Sequence, residues 1–455
     1  MPDDPDVLIL GAGPAGLAAA VTLHKAKKQI CVIEKADCAG GLCRTLRYGD
    51  FKTDIGSHIF YGRDLEALRF IEEAAGRQLQ EIDELSRFWF GGKFFPYPVI
   101  KIPQVLSNLG VPKTCKILLE YARESWNGRV RPKPLRSFEE YAITKFGKTL
   151  AGLTLSGFAE KILGLPAREI SVDWVQRRTN NLSLLTLIKN SILQQKSGHE
   201  NCLERFLYPE SGTGSLYEEM KNSIPDKKGN VFKFRSSPIA IVHDNTAIKE
   251  VTLKCDKGLA ETMRPGNLIS SIPLTEFVTL LEPPAPEAVQ EAARQLRFRS
   301  HVFLFLTLEK PSVFPDQWIH FPEKEIPFGR ISEPKNFSAR MSPKNATSLL
   351  IEFFCKEHDE LWAADAQKLS QISLPWLLRL NFVRKQEIAG AFVHREQYAY
   401  PIYDLSYNRH KDTIRQYLAG FNNLALIGRN GCFEFNGQHQ ALENGITAAQ
   451  HILKL

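Results

Sequence analysis

Three glycines near the start of the chain, in Gly11-Ala-Gly13-Pro14-Ala15-Gly16, have the spacing of a phosphate-holding turn. They follow an apolar run, Val7–Leu10, and open a helical stretch over Pro14–Lys25. A second apolar run, Ile30–Ile33, ends at the acid Glu34. A strand, a glycine turn, a helix and a second strand ending in an acid are the parts needed to hold a dinucleotide. Gly11 permits the tight turn, Gly13 lets the backbone approach a pyrophosphate, and Gly16 lets the helix pack closely on the strand. The helix start offers free N–H groups and a positive dipole end to phosphate. Glu34 stands where a ribose hydroxyl pair is bound. A bare strand–turn–helix crossover is the alternative reading.

The elements that must position this turn are spread along the chain. With 455 residues, 43% apolar and 24% charged, the chain is long enough for several buried cores and reads as soluble and globular. The charge of +7 is modest for this length and dispersed, which argues against nucleic acid and leaves room for an anionic small-molecule substrate. Eight cysteines are scattered without a C-x-x-C pair or zinc spacing, so no metal is expected, and reduced thiols in the cytoplasm are the plain reading. No apolar run is long enough to span a membrane, the N-terminus lacks a signal peptide, and a homodimer is left open.

A helix is expected over Asp64–Gly76 and an aromatic hairpin over Phe88–Pro98. Ser137-Phe-Glu-Glu140 reads as a capping box ahead of Tyr141–Phe146. Further helix is expected over Ile170–Leu193, with Arg177 and Arg178 on it facing a cleft or water. Strands are expected over Ile239–Val242, Ile248–Leu253 and Asn267–Pro273, a helix over Pro283–Leu296, and strands over Phe298–Glu309, Phe328–Glu333 and Ser348–Phe354. A last strand, Leu424–Ile427, leads through Gly428-Arg429-Asn430 to a helix over Gln440–Leu453.

The segment after Glu34 selects the dinucleotide. Gly40-Gly41-Leu42-Cys43-Arg44-Thr45 and Asp54-Ile-Gly56-Ser57-His58 resemble the glycine-doublet flavoproteins, whose members include protoporphyrinogen oxidases, amine oxidases and UDP-galactopyranose mutase. The resemblance covers nearly the whole chain and is strongest at residues 7–61 and 398–451. It implies an α/β fold with a Rossmann-like FAD-binding domain assembled from residues 1–90, 205–275 and 395–455. A helical insertion, 91–204, and a β-sheet domain, 276–394, close over the flavin. It makes FAD the cofactor, bound by Gly11, Gly13, Pro14, Ala15, Gly16, Glu34, Lys35, Gly40, Gly41, Leu42, Cys43, Arg44, Gly56, Ser57, His58, Gly428, Arg429, Gln438 and His439. The turn Tyr208-Pro-Glu-Ser-Gly212-Thr-Gly214-Ser-Leu216 is similar to the one that returns the chain to the cofactor in these proteins.

Several stretches are most similar to the mutase. Gly56-Ser57-His58-Ile-Phe60, Ile326-Pro-Phe-Gly-Arg330-Ile, Tyr398-Ala-Tyr400-Pro401-Ile and Gly428-Arg429 followed by His439 resemble its flavin and substrate motifs. The resemblance implies a nucleotide-linked sugar as substrate and isomerisation between pyranose and furanose forms at reduced flavin. Arg330 and Arg429 would then neutralise the diphosphate, Tyr400 would supply a hydroxyl near the sugar, and His58 would pack at the flavin face. The alternatives are a strand salt bridge for Arg330, flavin or backbone hydrogen bonds for Arg429, core packing for Tyr400 and a satisfied buried imidazole for His58. Leu163, Asn181 and Asn436 depart from the mutase pattern, where a tryptophan, an arginine and a tyrosine are expected. The rival activity is an FAD-dependent oxidoreductase that dehydrogenates a C–N, C–O or C–C bond. Phe433 and Phe435 could then flank the flavin face. A flavin-binding scaffold without activity is the third reading.

Overall fold

The computed structural model describes residues 4–62, 64–76, 79–97, 110–130, 134–176, 205–226 and 230–454. Val7–Leu10 is the central strand of a five-stranded parallel sheet. Asn267–Ser270 and then Leu424–Leu426 lie on one side of it, and Ile30–Ile33 and then Asn230–Lys233 on the other. Such a sheet is covered on both faces, which explains why both N-terminal strands are apolar at every position. Val7 and Ile9 enter one core with the helices Pro14–Lys25, Leu65–Ala75 and Gln438–Ile452. Leu8 and Leu10 enter the other core, shared with residues 138–175, 241–296 and 403–435.

A second sheet is built from Ala260–Met263, Ile248–Lys254, Ser237–His243 and Leu281–Glu282. The third and largest has seven strands in the order Ile388–Pro401, Phe298–Leu308, Thr347–Cys355, Arg330–Ser332, Trp318–His320, Ser86–Phe90 and Lys93–Tyr97. Its back face buries Val302, Leu304, Leu306 and Leu308 with the helix Ala366–Arg379. Its front face carries Phe303 and Phe305 against Ile55.

The aromatic hairpin forms as expected, with Phe88 stacked on Phe95 at 5.0 Å. It pairs with Trp318–His320, so the boundary drawn at residue 90 falls inside the seven-stranded sheet. The capping box at Ser137 and Glu140 is formed. The helix expected from Ile170 begins at Asp173, because Ile170 and Ser171 make strand-like bridges to Asp404 and Ser137. Its continuation, with Arg177, Arg178 and Asn181, lies outside the described residues. The helix expected from Pro283 begins at Glu287, because Pro283, Pro284 and Pro286 hold the preceding backbone extended. The C-terminal helix begins at Gln438, two residues before the expected start.

Candidate active site

A cleft of about 540 Å³ runs along the C-terminal edge of the parallel sheet. One wall comes from two glycine turns whose backbone geometry places them there. Gly11 has φ +102°, and a Cβ on it would lie 2.2 Å from Ser271 Oγ. A Cβ on Gly16 would lie 1.9 Å from the Gly11 carbonyl, so this residue is spent on helix–strand contact and does not line the cleft. Among the described residues a Cβ on Gly13 would meet only Gly41, at 3.8 Å, and the two glycines face each other across the opening. Pro14 and Ala15 follow at the helix N-terminus and line the same wall. Gly437 and Gln438, at the start of the C-terminal helix, bring a second helix N-terminus to it.

Glu34 is buried and accepts hydrogen bonds from the Ala12 and Ala36 N–H groups at 2.8 and 2.9 Å. Each carboxylate oxygen keeps a further lone pair for a hydroxyl. Lys35, beside it in the lining, lies over the Tyr398 ring at 5.6 Å. Gly40 takes φ +108° and donates to the Ala12 carbonyl at 2.8 Å, which folds Gly41–Cys43 into a short turn. Leu42, Cys43 and Arg44 line the cleft from that turn. Burial pushes the Cys43 thiol up to about 12, so it offers no thiolate. Arg44 is tied to the Gly41 carbonyl at 2.7 Å and paired with Glu396.

Asp54 fixes the next segment. It is buried and accepts from Thr45 Oγ1 at 2.6 Å, Tyr208 Oη at 2.7 Å and the Thr213 N–H. Thr213 Oγ1 in turn donates to the His58 carbonyl at 2.8 Å. The Tyr208–Leu216 turn is thus hydrogen-bonded to Thr45, Asp54 and His58. Gly56 takes φ +84° and passes next to Arg330. His58 lines the cleft with Nε2 2.9 Å from the Ile55 carbonyl. Burial, then Arg429 and Arg330, push its imidazole down to about 4, so it is neutral.

Arg330 itself is not in the lining. Glu352, fully buried, holds it through Nε and Nη2 at 2.6 and 2.8 Å. Arg429 does line the cleft and donates to the Asn436 and Ala399 carbonyls. Tyr400 stacks on Phe435 at 4.6 Å, with the Arg429 guanidinium 4.9 Å from its ring centre. Gly428 and Gln438 are in the lining, and Gln438 is fixed by Tyr217 Oη at 2.8 Å. His439 faces away, 3.5 Å from Asp64, and Gly40, Gly56, Ser57 and Tyr400 also lie outside the lining. Phe433 is fully buried against Phe298 at 5.0 Å, so it belongs to the core and not to the cleft wall.

Sequence reasoning missed the opposite wall. Ser236, Ser237 and Pro238, Ser271 to Pro273, Glu276, Glu396 and Tyr398 all line the cleft. Of these, Tyr398 falls in the Tyr398-Ala-Tyr400-Pro401-Ile motif without being marked there as a site residue, and the turn after the Asn267–Ser270 strand carries a local signal, the Ser-Ser-Ile-Pro sequence.

The lining has groups that could hold a flavin dinucleotide. Two helix N-termini and the facing glycines leave N–H groups and open space of the kind a pyrophosphate needs, and Glu34 keeps lone pairs that could accept from ribose hydroxyls. Asn430 and Asn436 line the same cleft, and their Oδ1 atoms are buried and without hydrogen-bond partners among the described residues.

A model of flavin containing amine oxidoreductases matches residues 14–453. The chain belongs to this family. It is an FAD-dependent enzyme. Human peroxisomal N(1)-acetyl-spermine/spermidine oxidase is 23% identical over 339 residues, covering 69% of this chain and 64% of that protein. A 1-hydroxycarotenoid 3,4-desaturase from a Flavobacterium species is 26% identical over 267 residues, covering 54% and 53%. The chain therefore spans less than two thirds of each of these relatives. Among solved structures, reduced UDP-galactopyranose mutase superposes with a TM-score of 0.82 at 22% identity, over 99% of this chain and 94% of that one. Putrescine oxidase bound to putrescine gives 0.62 at 16% identity, over 99% of both chains. At these identities the likeness is one of fold. No helix among the described residues is long and apolar enough to cross a membrane.

Proposed function

We propose that this enzyme acts on an anionic substrate, a sugar linked to a nucleotide diphosphate, and isomerises the sugar ring. One observation carries the reading. Arg429 reaches the cleft with no carboxylate partner among the described residues. Its three hydrogen bonds to carbonyls fix the guanidinium and leave two of its five N–H groups for a ligand. A guanidinium held this way is preorganised for a phosphate oxygen. It also repels an ammonium group: at 4 Å and an effective dielectric of 20 the cost is about 4 kcal/mol. A polyamine is therefore a poor occupant beside Arg429.

In this reading FAD supplies a ring that accepts a hydride when oxidised and is nucleophilic when reduced. The chain's residues do the rest. Arg429 binds the diphosphate and is braced by the Tyr400–Phe435 stack. His58, neutral and tied to Ile55, forms a wall that takes no proton above about pH 4. The parallel-sheet segments would hold the cofactor, and Glu396 and Tyr398 of the seven-stranded sheet, on the opposite wall of the cleft, would help keep water from it.

A second reading has its own observation. Glu352 neutralises Arg330, the other guanidinium the resemblance assigns to the diphosphate. That leaves fewer cations than a diphosphate usually meets and suits dehydrogenation of a C–N, C–O or C–C bond in a less charged substrate. Reductant separates the two. UDP-galactose should bind, and interconvert between ring forms only after FAD is chemically reduced, with no net electrons consumed. Stoichiometric bleaching of oxidised FAD by an amine or alcohol would replace this reading with the dehydrogenase.

A further inference from the structure

His301 sits in the long strand Phe298–Leu308, opposite Phe354 on one neighbouring strand and Glu396 on the other. Residues opposite each other share a sheet face. Glu396 lines the cofactor cleft, so His301 stands on the face turned towards the cofactor. Its neighbours Val302 and Leu304 lie in the core behind the sheet and on the same back face. The imidazole packs edge-on against Phe354 at 4.5 Å and Tyr400 at 5.0 Å. It is 3% exposed and lies behind the cleft lining, and its Nε2 has no hydrogen-bond partner among the described residues.

Buried polar atoms in native proteins are almost always satisfied, so an orphan beside an active site points to a missing partner. The chemistry of the surroundings narrows what that partner is. Burial, then Arg330, Arg299 and Arg429, hold the imidazole well below its usual pKa and therefore neutral. A neutral imidazole presents one donor and one acceptor. A hydroxyl, which donates and accepts, completes the orphaned Nε2 in either tautomer, whereas a phosphate serves it only when it carries the proton and an ammonium only when it does not. Nothing in the sequence marks His301, which reads as one more residue of a well-formed strand.

We propose that His301 is a specificity-determining residue that hydrogen-bonds a substrate hydroxyl on the sheet side of the active site, beside Tyr400. The inference rests on the nucleotide-sugar reading and adds the residue that recognises the sugar, while Arg429 recognises the phosphates.

The test compares UDP with UDP-galactose on FAD-loaded protein by calorimetry. His301→Phe keeps a ring against Phe354 and Tyr400 and removes both nitrogens, and His301→Gln restores a donor and an acceptor. Expected is a roughly tenfold loss of UDP-galactose affinity in His301→Phe, the scale of one unmade hydrogen bond. UDP affinity and FAD content should stay at wild-type values, and His301→Gln should recover part of the loss. If His301→Phe binds both ligands as the wild type does, or weakens both equally, the role of His301 is overturned and the nucleotide-sugar reading stands. If the wild type binds neither ligand, the nucleotide-sugar reading falls and this role falls with it. Should His301→Phe fail to take up FAD, His301→Leu carries the same comparison.

Discussion

Glu352 and Arg330 form a buried pair on the sheet face that meets Gly56, and the pair costs more to break than it contributes intact. Replacing Glu352 by Gln leaves the guanidinium buried with a neutral partner. A destabilisation of about 3–5 kcal/mol is expected, read as a lower urea midpoint at unchanged slope. A second consequence concerns pH. The folded His58 titrates near 4 because burial, Arg429 and Arg330 oppose its charge, whereas in the unfolded chain it titrates at 6.5. Between these values the unfolded state binds the extra proton, so the contribution of His58 is complete above pH 6.5 and is lost as pH falls towards 4. Glu84, raised by burial to about 7, runs the other way and gains stability as pH falls through the same window. The clean measurement is therefore a difference. Wild type should lose stability between pH 7 and pH 5 relative to His58→Gln, and parallel curves for the two proteins would rule the shift out.

Among the elements, the first turn separates two roles of glycine that its spacing alone cannot. Gly13 has ordinary φ and open space towards the cleft, whereas Gly16 has the Gly11 carbonyl 1.9 Å from where a Cβ would stand. Gly13→Val should leave the apoprotein's unfolding midpoint nearly unchanged and yield colourless protein. Gly16→Val should lose both FAD and stability, since backbone must move to admit it. Thermal melts and flavin absorbance on the two variants check this, and a yellow Gly13→Val protein would contradict the cradle. This turn was legible in the sequence because its geometry is set by residues close together in the chain. The same holds for the Ser137 capping box and the Gly40-Gly41 turn. A strand salt bridge is one reading of Arg330, but its partner Glu352, the orphaned His301 and the Ser236–Pro238 wall were not legible. Each depends on which strands neighbour each other, and cross-strand partners leave no local spacing to read.

At the scale of the molecule, the cleft is closed by both ends of the chain. Gly13–Ala15, Glu34–Ala36, Gly41–Arg44, Ser236–Pro238, Gly428–Asn430 and Asn436–Gln438 all line it. The helices Pro14–Lys25 and Gln438–Ile452 meet so closely that a Cβ on Gly445 would fall 2.0 Å from the Ala15 carbonyl. A ligand that spans these segments binds the folded state and not the unfolded one. At a hundred times its dissociation constant, FAD should therefore add about 2.7 kcal/mol to stability. The location of that gain is the sharper expectation. Hydrogen exchange on adding FAD to apoprotein should slow together at residues 11–17, 40–45 and 428–441, because one ligand bridges all three. Slowing confined to residues 11–45 would mean that the C-terminal turn does not contact the cofactor. Arg429 would then be free of the flavin, and its place beside the substrate would have to be argued from the Tyr400–Phe435 stack alone.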